Sequence, residues 1–304
     1  MILNIVIPIT GQDLYCWIKR QLDMKRIVTF IIVGLIACHE IAIGQSKRAL
    51  VIGLGQQEDR NWGKINGDKD VPYVQEMLKN AGYKDVCTLI NKQATKKRIV
   101  AAFKALTSIC KPGDVVYIHF SGHGQQVTDV NGDEWPDSLD EAWIPYDAYL
   151  TYGEKDKGEK HLIDDEVNEL LTAIKNKIGN KGKMLVVVDA CHSGDSARGD
   201  DYDDCGVTRG VWNEFIIPNV KKAKATKAPE RWLTLSACKD FQLNQEIKDP
   251  QVGKLTYALY KSAQKRKVTF KDIEIFMDQY RVRLPQTPVL TGEVTKYKIS
   301  DFIK

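Results

Sequence analysis

Two apolar runs in this 304-residue chain end in the same way, and that likeness limits what it can fold into. Residues 115–120 (Val-Val-Tyr-Ile-His-Phe) run into Ser121-Gly122-His123-Gly124. Residues 183–189 end in Val186-Val187-Val188-Asp189 and break at Ala190-Cys191-His192-Ser193-Gly194. Short runs rich in β-branched residues, closed by glycine-containing polar turns, read as buried strands. Open α/β sheets gather their chemistry at the carboxyl ends of such strands. If these two strands are neighbours, an imidazole and a thiol emerge side by side.

The rest of the chain fits a sheet of that kind. Strands are expected at 47–54, 86–90, 232–236 and 287–290. Helices are expected at 71–81, 95–109, 163–178, 254–264 and 269–283, from apolar residues three and four apart. Alternating strands and helices predict an α/β fold, a mainly parallel sheet with helices on both faces. Residues 125–161, acidic in their first half, and 194–230 read as long irregular connections. The second carries basic residues (Arg209, Lys221, Lys222, Lys224, Lys227) with no apolar periodicity, so it reads as unpacked and open to cleavage. The Gly53-Leu54-Gly55 turn lacks the third glycine of a dinucleotide loop.

The amino terminus is expected to lie outside this domain. Met24-Lys25-Arg26 and the apolar run 27–37 have the form of a secretory signal, too short to span a bilayer. Met24 makes a better start than Met1, so 1–23 read as an over-extended frame. Cleavage after Ala42-Ile43-Gly44 would leave Gln45 first. Leu35-Ile36-Ala37-Cys38 alternatively resembles a lipobox that would anchor the protein at Cys38. Residues 1–44 are thus read as a targeting segment and 45–304 as one domain, exported to the periplasm or beyond.

Composition narrows the partners. A net charge of +4 with no basic stripe among aromatics argues against nucleic acid. Beyond the targeting segment the cysteines are Cys87, Cys110, Cys191, Cys205 and Cys238, an odd number, so one thiol at least stays outside any disulfide. No Cys-x-x-Cys pair suggests structural zinc. Cys87, Cys110 and Cys238 lie in or beside apolar runs and read as small buried hydrophobes.

A thiol becomes a nucleophile when an imidazole takes its proton, so His123 and Cys191 are the catalytic pair to expect. His192, adjacent on an extended chain, points the other way. Asp189, two residues before Cys191, shares its side of the strand end, where a carboxylate favours a Lys or Arg side chain in a substrate.

The motifs His119-Phe-Ser-Gly-His123-Gly and Asp189-Ala-Cys191-His-Ser-Gly resemble those of caspase-like cysteine peptidases, closest to bacterial metacaspase-like proteins. The likeness extends to Asn131-Gly-Asp-Glu, to 139–147, to Leu162-Ile-Asp-Asp-Glu-Val-Asn168, to Ser236-Ala-Cys-Lys-Asp240 and to Gln286-Thr-Pro-Val-Leu290, over about residues 47–292. It implies a caspase-like sandwich and a His123/Cys191 dyad that hydrolyses peptide bonds through a thioacyl-enzyme. It also implies a pocket for Arg or Lys built from Asp189, an aspartate near the first helix (Asp70, with Asp68 a rival) and Ser121. The oxyanion donors would be the N–H groups of Gly124 and Cys191. Calcium is the one cofactor the resemblance suggests, with Asp164, Asp165, Asp140 and Asp137 as ligands, although an aspartate beyond the cysteine is not clearly matched. Self-processing in the 195–230 loop belongs to the same expectation. A peptidase of this fold with another specificity and an inactive interaction module are the alternatives.

Overall fold

The computed structural model describes residues 45–132, 138–191, 207–211, 213–220, 228–239, 242–280 and 285–304. The targeting segment with Cys38, and also Asp137, His192, Cys205 and lysines 221–227, lie outside the described residues. Gln45–Lys304 forms one compact unit.

Its centre is a six-stranded sheet built from β1 (Lys47–Gly53), β2 (Asp85–Ile90), β3 (Val115–Ser121), β7 (Lys183–Asp189), β8 (Leu233–Ser236) and β11 (Val289–Gly292). The order is β11-β8-β7-β3-β1-β2, parallel except for the antiparallel edge strand β11. This is the α/β arrangement expected of the alternating pattern. Every residue of β3 is buried, as a strand covered on both faces must be.

Alternation along the strands sorts the core into two layers. Ala49, Val51, Tyr117, Leu185, Val187, Leu233 and Leu235 pack against α1 (Gly67–Asn80), α4 (Lys254–Ala263), α5 (Phe270–Gln279) and α6 (Ser300–Ile303). Leu50, Ile52, Val116, Ile118, Phe120, Met184, Val186 and Val188 pack against α2 (Lys96–Ile109) and α3 (Asp164–Ile178). Asp189 continues the first series, so its carboxylate falls on the α1/α4 side.

Three expectations are corrected. The 125–161 connection is partly a small sheet: β4 (Gly124–Thr128) and β5 (Leu139–Trp143) pair antiparallel, and β6 (Leu162–Ile163) joins β5. Polar residues dominate β4, so the strand shows no apolar run; its Val127 packs with Trp62, Ala142, Ile144 and Phe215. Helix α1 begins at Gly67, four residues before its apolar spacing, because its first turn carries Asp68 and Asp70. Cys87 is exposed, since β2 is an edge strand.

Candidate active site

The register of the sheet assembles the site. Ser121 at the end of β3 stands opposite Asp189 at the end of β7, and Gly53 of β1 opposite Ser121. His123 and Cys191 each lie two residues further on, at the carboxyl edge where the strand order reverses around β1 and β3. Gly67 lets α1 start against this edge. A Cβ there would stand 2.6 Å from the Ser121 carbonyl oxygen.

Asp70 and Asp189 meet in a closed acidic pocket, and a third carboxylate, Glu246, joins them from β9 (Glu246–Ile247). Asp189 accepts hydrogen bonds from Asn244 Nδ2 (2.7 Å), Thr256 N (2.8 Å) and Thr256 Oγ1 (2.6 Å). Asp70 accepts from Gly253 N at 2.8 Å. Gly253 is the N-cap residue of α4 and Thr256 lies in its first turn, where the helix dipole favours negative charge. Asp68 instead accepts from Asn91 Nδ2 at 3.1 Å, so of the two rivals Asp70 is the one that faces Asp189 across Arg209. Ser121 Oγ bonds His119 Nε2 at 2.9 Å and does not itself reach the cation described next. His119 Nε2 also lies 3.2 Å from Thr256 Oγ1. Burial keeps His119 neutral, its pKa pushed down to about 4.

The pocket is filled by Arg209. Its Nη1 lies 2.7 Å from Asp70 Oδ2 and 3.3 Å from Asp189 Oδ1, and its Nε lies 2.9 Å from Glu246 Oε1. All four side chains are buried. Arg209 therefore contradicts the reading of 194–230 as wholly unpacked. The packing was illegible because its three partners come from distant parts of the chain. Desolvation would lower the Arg209 pKa, but the surrounding carboxylates raise it. Burial pushes Asp70 up to about 6 despite Arg209. At Asp189 burial also acts upward, yet Arg209, Thr256 and Asn244 together hold the carboxyl below its usual value. Three buried carboxylates without a cation would carry a desolvation cost of several kcal/mol each, so this pocket demands positive charge.

Residues 207–211 lie as an extended peptide would in a cleft. Arg209 N donates to Asn244 O and Glu246 N donates to Val207 O, both 3.0 Å, with Thr208 bridged antiparallel to Gln245. Gly124 N–H donates to the Arg209 carbonyl oxygen at 3.1 Å. Beyond it Gly210 forms a parallel bridge with Gly124, and a Cβ on Gly210 would stand 2.8 Å from Cys191 Sγ. The Arg209–Gly210 bond thus lies beside the thiol with its carbonyl on an expected oxyanion donor.

His123 is buried, with Trp62 5.1 Å from it between ring centroids. Its Nε2 lies 2.7 Å from the Gly63 carbonyl oxygen. A carbonyl only accepts, so Nε2 bears the proton and Nδ1 keeps its lone pair. Nδ1 is buried and has no hydrogen-bond partner among the described residues. Burial lowers the His123 pKa, which favours the neutral base. Cys191 is fully buried, and its Sγ donates to Gln242 O at 3.3 Å. Gly63, Glu246, Asn244 and Thr256 are site residues that sequence reasoning missed. The first acts through its backbone, and the others sit in no recognisable motif.

The acidic residues expected to hold calcium are placed as follows. Asp140 lies on β5, Asp164 and Asp165 just beyond β6, and Ala142 of β5 faces Ile163 of β6. Asp165 accepts from Asn131 Nδ2. These oxygens suit a hard cation. Among the described residues no three His, Cys, Asp or Glu side chains converge as a metal site.

Known proteins resemble this arrangement. A family model described as metacaspase, peptidase C14 domain, matches residues 47–198. Metacaspase-2 of Arabidopsis thaliana is 28% identical over 246 residues, 72% of this chain and 52% of that protein. Metacaspase-1A of Neurospora crassa is 33% identical over 187 residues, 58% of this chain and 37% of that one. The chain spans about half or less of these relatives' length. Among solved structures, a Geobacter sulfurreducens protein superposes with TM-score 0.60 at 24% identity, covering 85% of this chain and 97% of that one. Caspase-1 from Spodoptera frugiperda superposes with TM-score 0.52 at 11% identity, covering 82% and 86%. These two likenesses establish a caspase-like fold.

Proposed function

This chain belongs to the metacaspase peptidase C14 family, and on that premise we propose that it is a cysteine endopeptidase that cleaves after Arg or Lys. The observation that carries the specificity is Arg209 in the Asp70/Asp189/Glu246 pocket with its carbonyl oxygen on Gly124 N–H. A substrate arginine would take the same place.

His123 Nδ1 accepts the Cys191 proton, and the Gly63 carbonyl holds the imidazole in the tautomer this requires and steadies the imidazolium. The thiolate attacks the carbonyl carbon, and Gly124 N–H stabilises the oxyanion, with Cys191 N–H as the second donor. The C–N bond breaks, the amine leaves with the proton from His123, and a thioester remains on Cys191. Water, deprotonated by His123, then hydrolyses the thioester and restores the thiol. The same chemistry acts on the chain itself: Arg209–Gly210 is the bond in 195–230 presented for self-processing.

Calcium enters the proposal only as a regulator, for which Asp140, Asp164, Asp165 and Asp137 would have to be drawn together, and no chemical step passes through it. The 24–44 segment supports export, with Gln45 as the mature terminus or Cys38 as a lipid anchor. The mass of the protein recovered outside the cytoplasm distinguishes the two.

The test is a panel of fluorogenic peptides ending in Arg, Lys, Asp or Asn, with calcium or with chelator. Release from Arg and Lys peptides alone, faster with calcium, is expected. Release after Asp or Asn alone refutes the basic pocket, and equal rates with chelator refute the calcium role. If no peptide is cut, and Cys191 still resists alkylation in Arg209→Gln, where the 207–211 segment has lost its anchor, the chain is an interaction module.

A further inference from the structure

We infer that Glu246 selects arginine over lysine in this pocket, an assignment that rests on the cleavage after basic residues proposed above. Asp70 and Asp189 both face Nη1 of Arg209, and either could attract any cation. Glu246 alone meets Nε, at 2.9 Å. Its carboxylate is fixed beforehand: Oε1 also accepts from Asn66 N at 2.7 Å, and Oε2 accepts from Asn66 Nδ2. Asn66 immediately precedes α1, the helix that carries Asp70, while Glu246 of β9 pairs with Gly253, whose N–H holds Asp70. The three carboxylates are therefore one rigid frame.

A guanidinium fills this frame and an ammonium does not. Counted from Cα, lysine carries a methylene where arginine has Nε–H, and its Nζ falls where arginine has Cζ. A bound lysine would present CH₂ to Glu246 Oε1 and stop one bond short of the Nη1 position. Its charge would still face Asp70 and Asp189, so lysine is accepted, but the buried Glu246 would lose a charge-assisted hydrogen bond to the substrate. Gly253 keeps the fork accessible, because a Cβ there would stand 2.6 Å from Nη1.

The experiment compares kcat/KM for two peptides differing only in a terminal Arg or Lys, on the full chain and on Glu246→Ala and Glu246→Gln. Arg209 competes with both peptides for the same pocket and lowers both values by the same factor, so their ratio is insensitive to it. The wild type should favour Arg by roughly tenfold or more, the worth of one such hydrogen bond. Glu246→Ala should bring the ratio towards unity, because Arg cleavage falls further than Lys cleavage. Glu246→Gln, whose amide oxygen still accepts, should fall between. Arg and Lys cleavage falling together at an unchanged ratio would show that Glu246 only supports the fold, and overturn the assignment. So would a wild-type ratio near one. Both outcomes leave the basic-cleavage reading standing, whereas failure to cut either peptide sinks that reading and this inference with it.

Discussion

Replacing Asp189 with Asn is expected to lower kcat/KM for an Arg-ending peptide by roughly 10²–10⁴-fold, the counterpart of about 3–5 kcal/mol for breaking a buried charge pair. Asparagine has the same shape, and its carbonyl oxygen can still accept from Thr256 N, so the end of β7 should hold its position. What disappears is a full negative charge facing the guanidinium in a site closed to solvent. The loss should appear mainly as raised KM, because the carboxylate meets the side chain of the substrate and not its reacting carbonyl. Steady-state kinetics on the purified variant, with its thermal midpoint as a control for folding, checks this. Arg209 meets the same carboxylate, so the pair is also compared on an Arg209→Gln background, where a change below about threefold would mean that Asp189 serves the strand end and not the substrate.

Removing the nucleophile should have the larger effect. Cys191→Ala should reduce cleavage of every peptide to background, a fall of at least about 10⁴-fold, the scale on which cysteine and serine peptidases lose activity when one member of the machinery is deleted. His123→Ala should cost about as much, since each residue is useless without the other. The two variants part company on alkylation. Iodoacetamide should still modify Cys191 in His123→Ala, more slowly than in the wild type because no base takes the thiol proton. Both side chains are buried, so both rates include the same opening of the site, and their ratio isolates the loss of the base. Peptidase activity surviving Cys191→Ala would overturn the assignment of the nucleophile.

How far the sequence alone leads is set by where the determining interactions lie. The strands of the central sheet are legible because Val115–Ser121 and Lys183–Asp189 are dense in β-branched and aromatic residues and bounded by polar turns. Their parallel pairing brings Ser121 opposite Asp189, and from there the spacing of two places His123 and Cys191 at one level. Asp189 is legible for the same reason, as alternation puts it on the side of the residue two further on. The pocket as a whole is not legible. Arg209 lies 139 residues from Asp70 and 37 from Glu246, and its own surroundings, Val-Thr-Arg-Gly-Val, carry neither helical nor strand-like periodicity. Its burial follows from three carboxylates that meet only after the sheet, α1 and the β9–β10 pair (Val252–Gly253 forming β10) have formed. Gly63 is invisible for another reason: any residue has a carbonyl, and only the fold aims this one at Nε2 of His123. The small sheet of β4, β5 and β6 was hidden by the polar residues of β4, which form strand because Val127, Ala142 and Trp143 are covered by neighbouring segments.

On the proposed mechanism the chain holds its own Arg209–Gly210 bond in the position of a substrate before Cys191. Intact mass and amino-terminal sequencing of the full chain after incubation with calcium test it directly, with Cys191→Ala alongside. A new terminus beginning Gly210-Val211, formed by the wild type and absent from Cys191→Ala, is the expected result. Cleavage only at another bond, such as one after the lysines of 221–227, or cleavage at Arg209 that persists in Cys191→Ala, would contradict it.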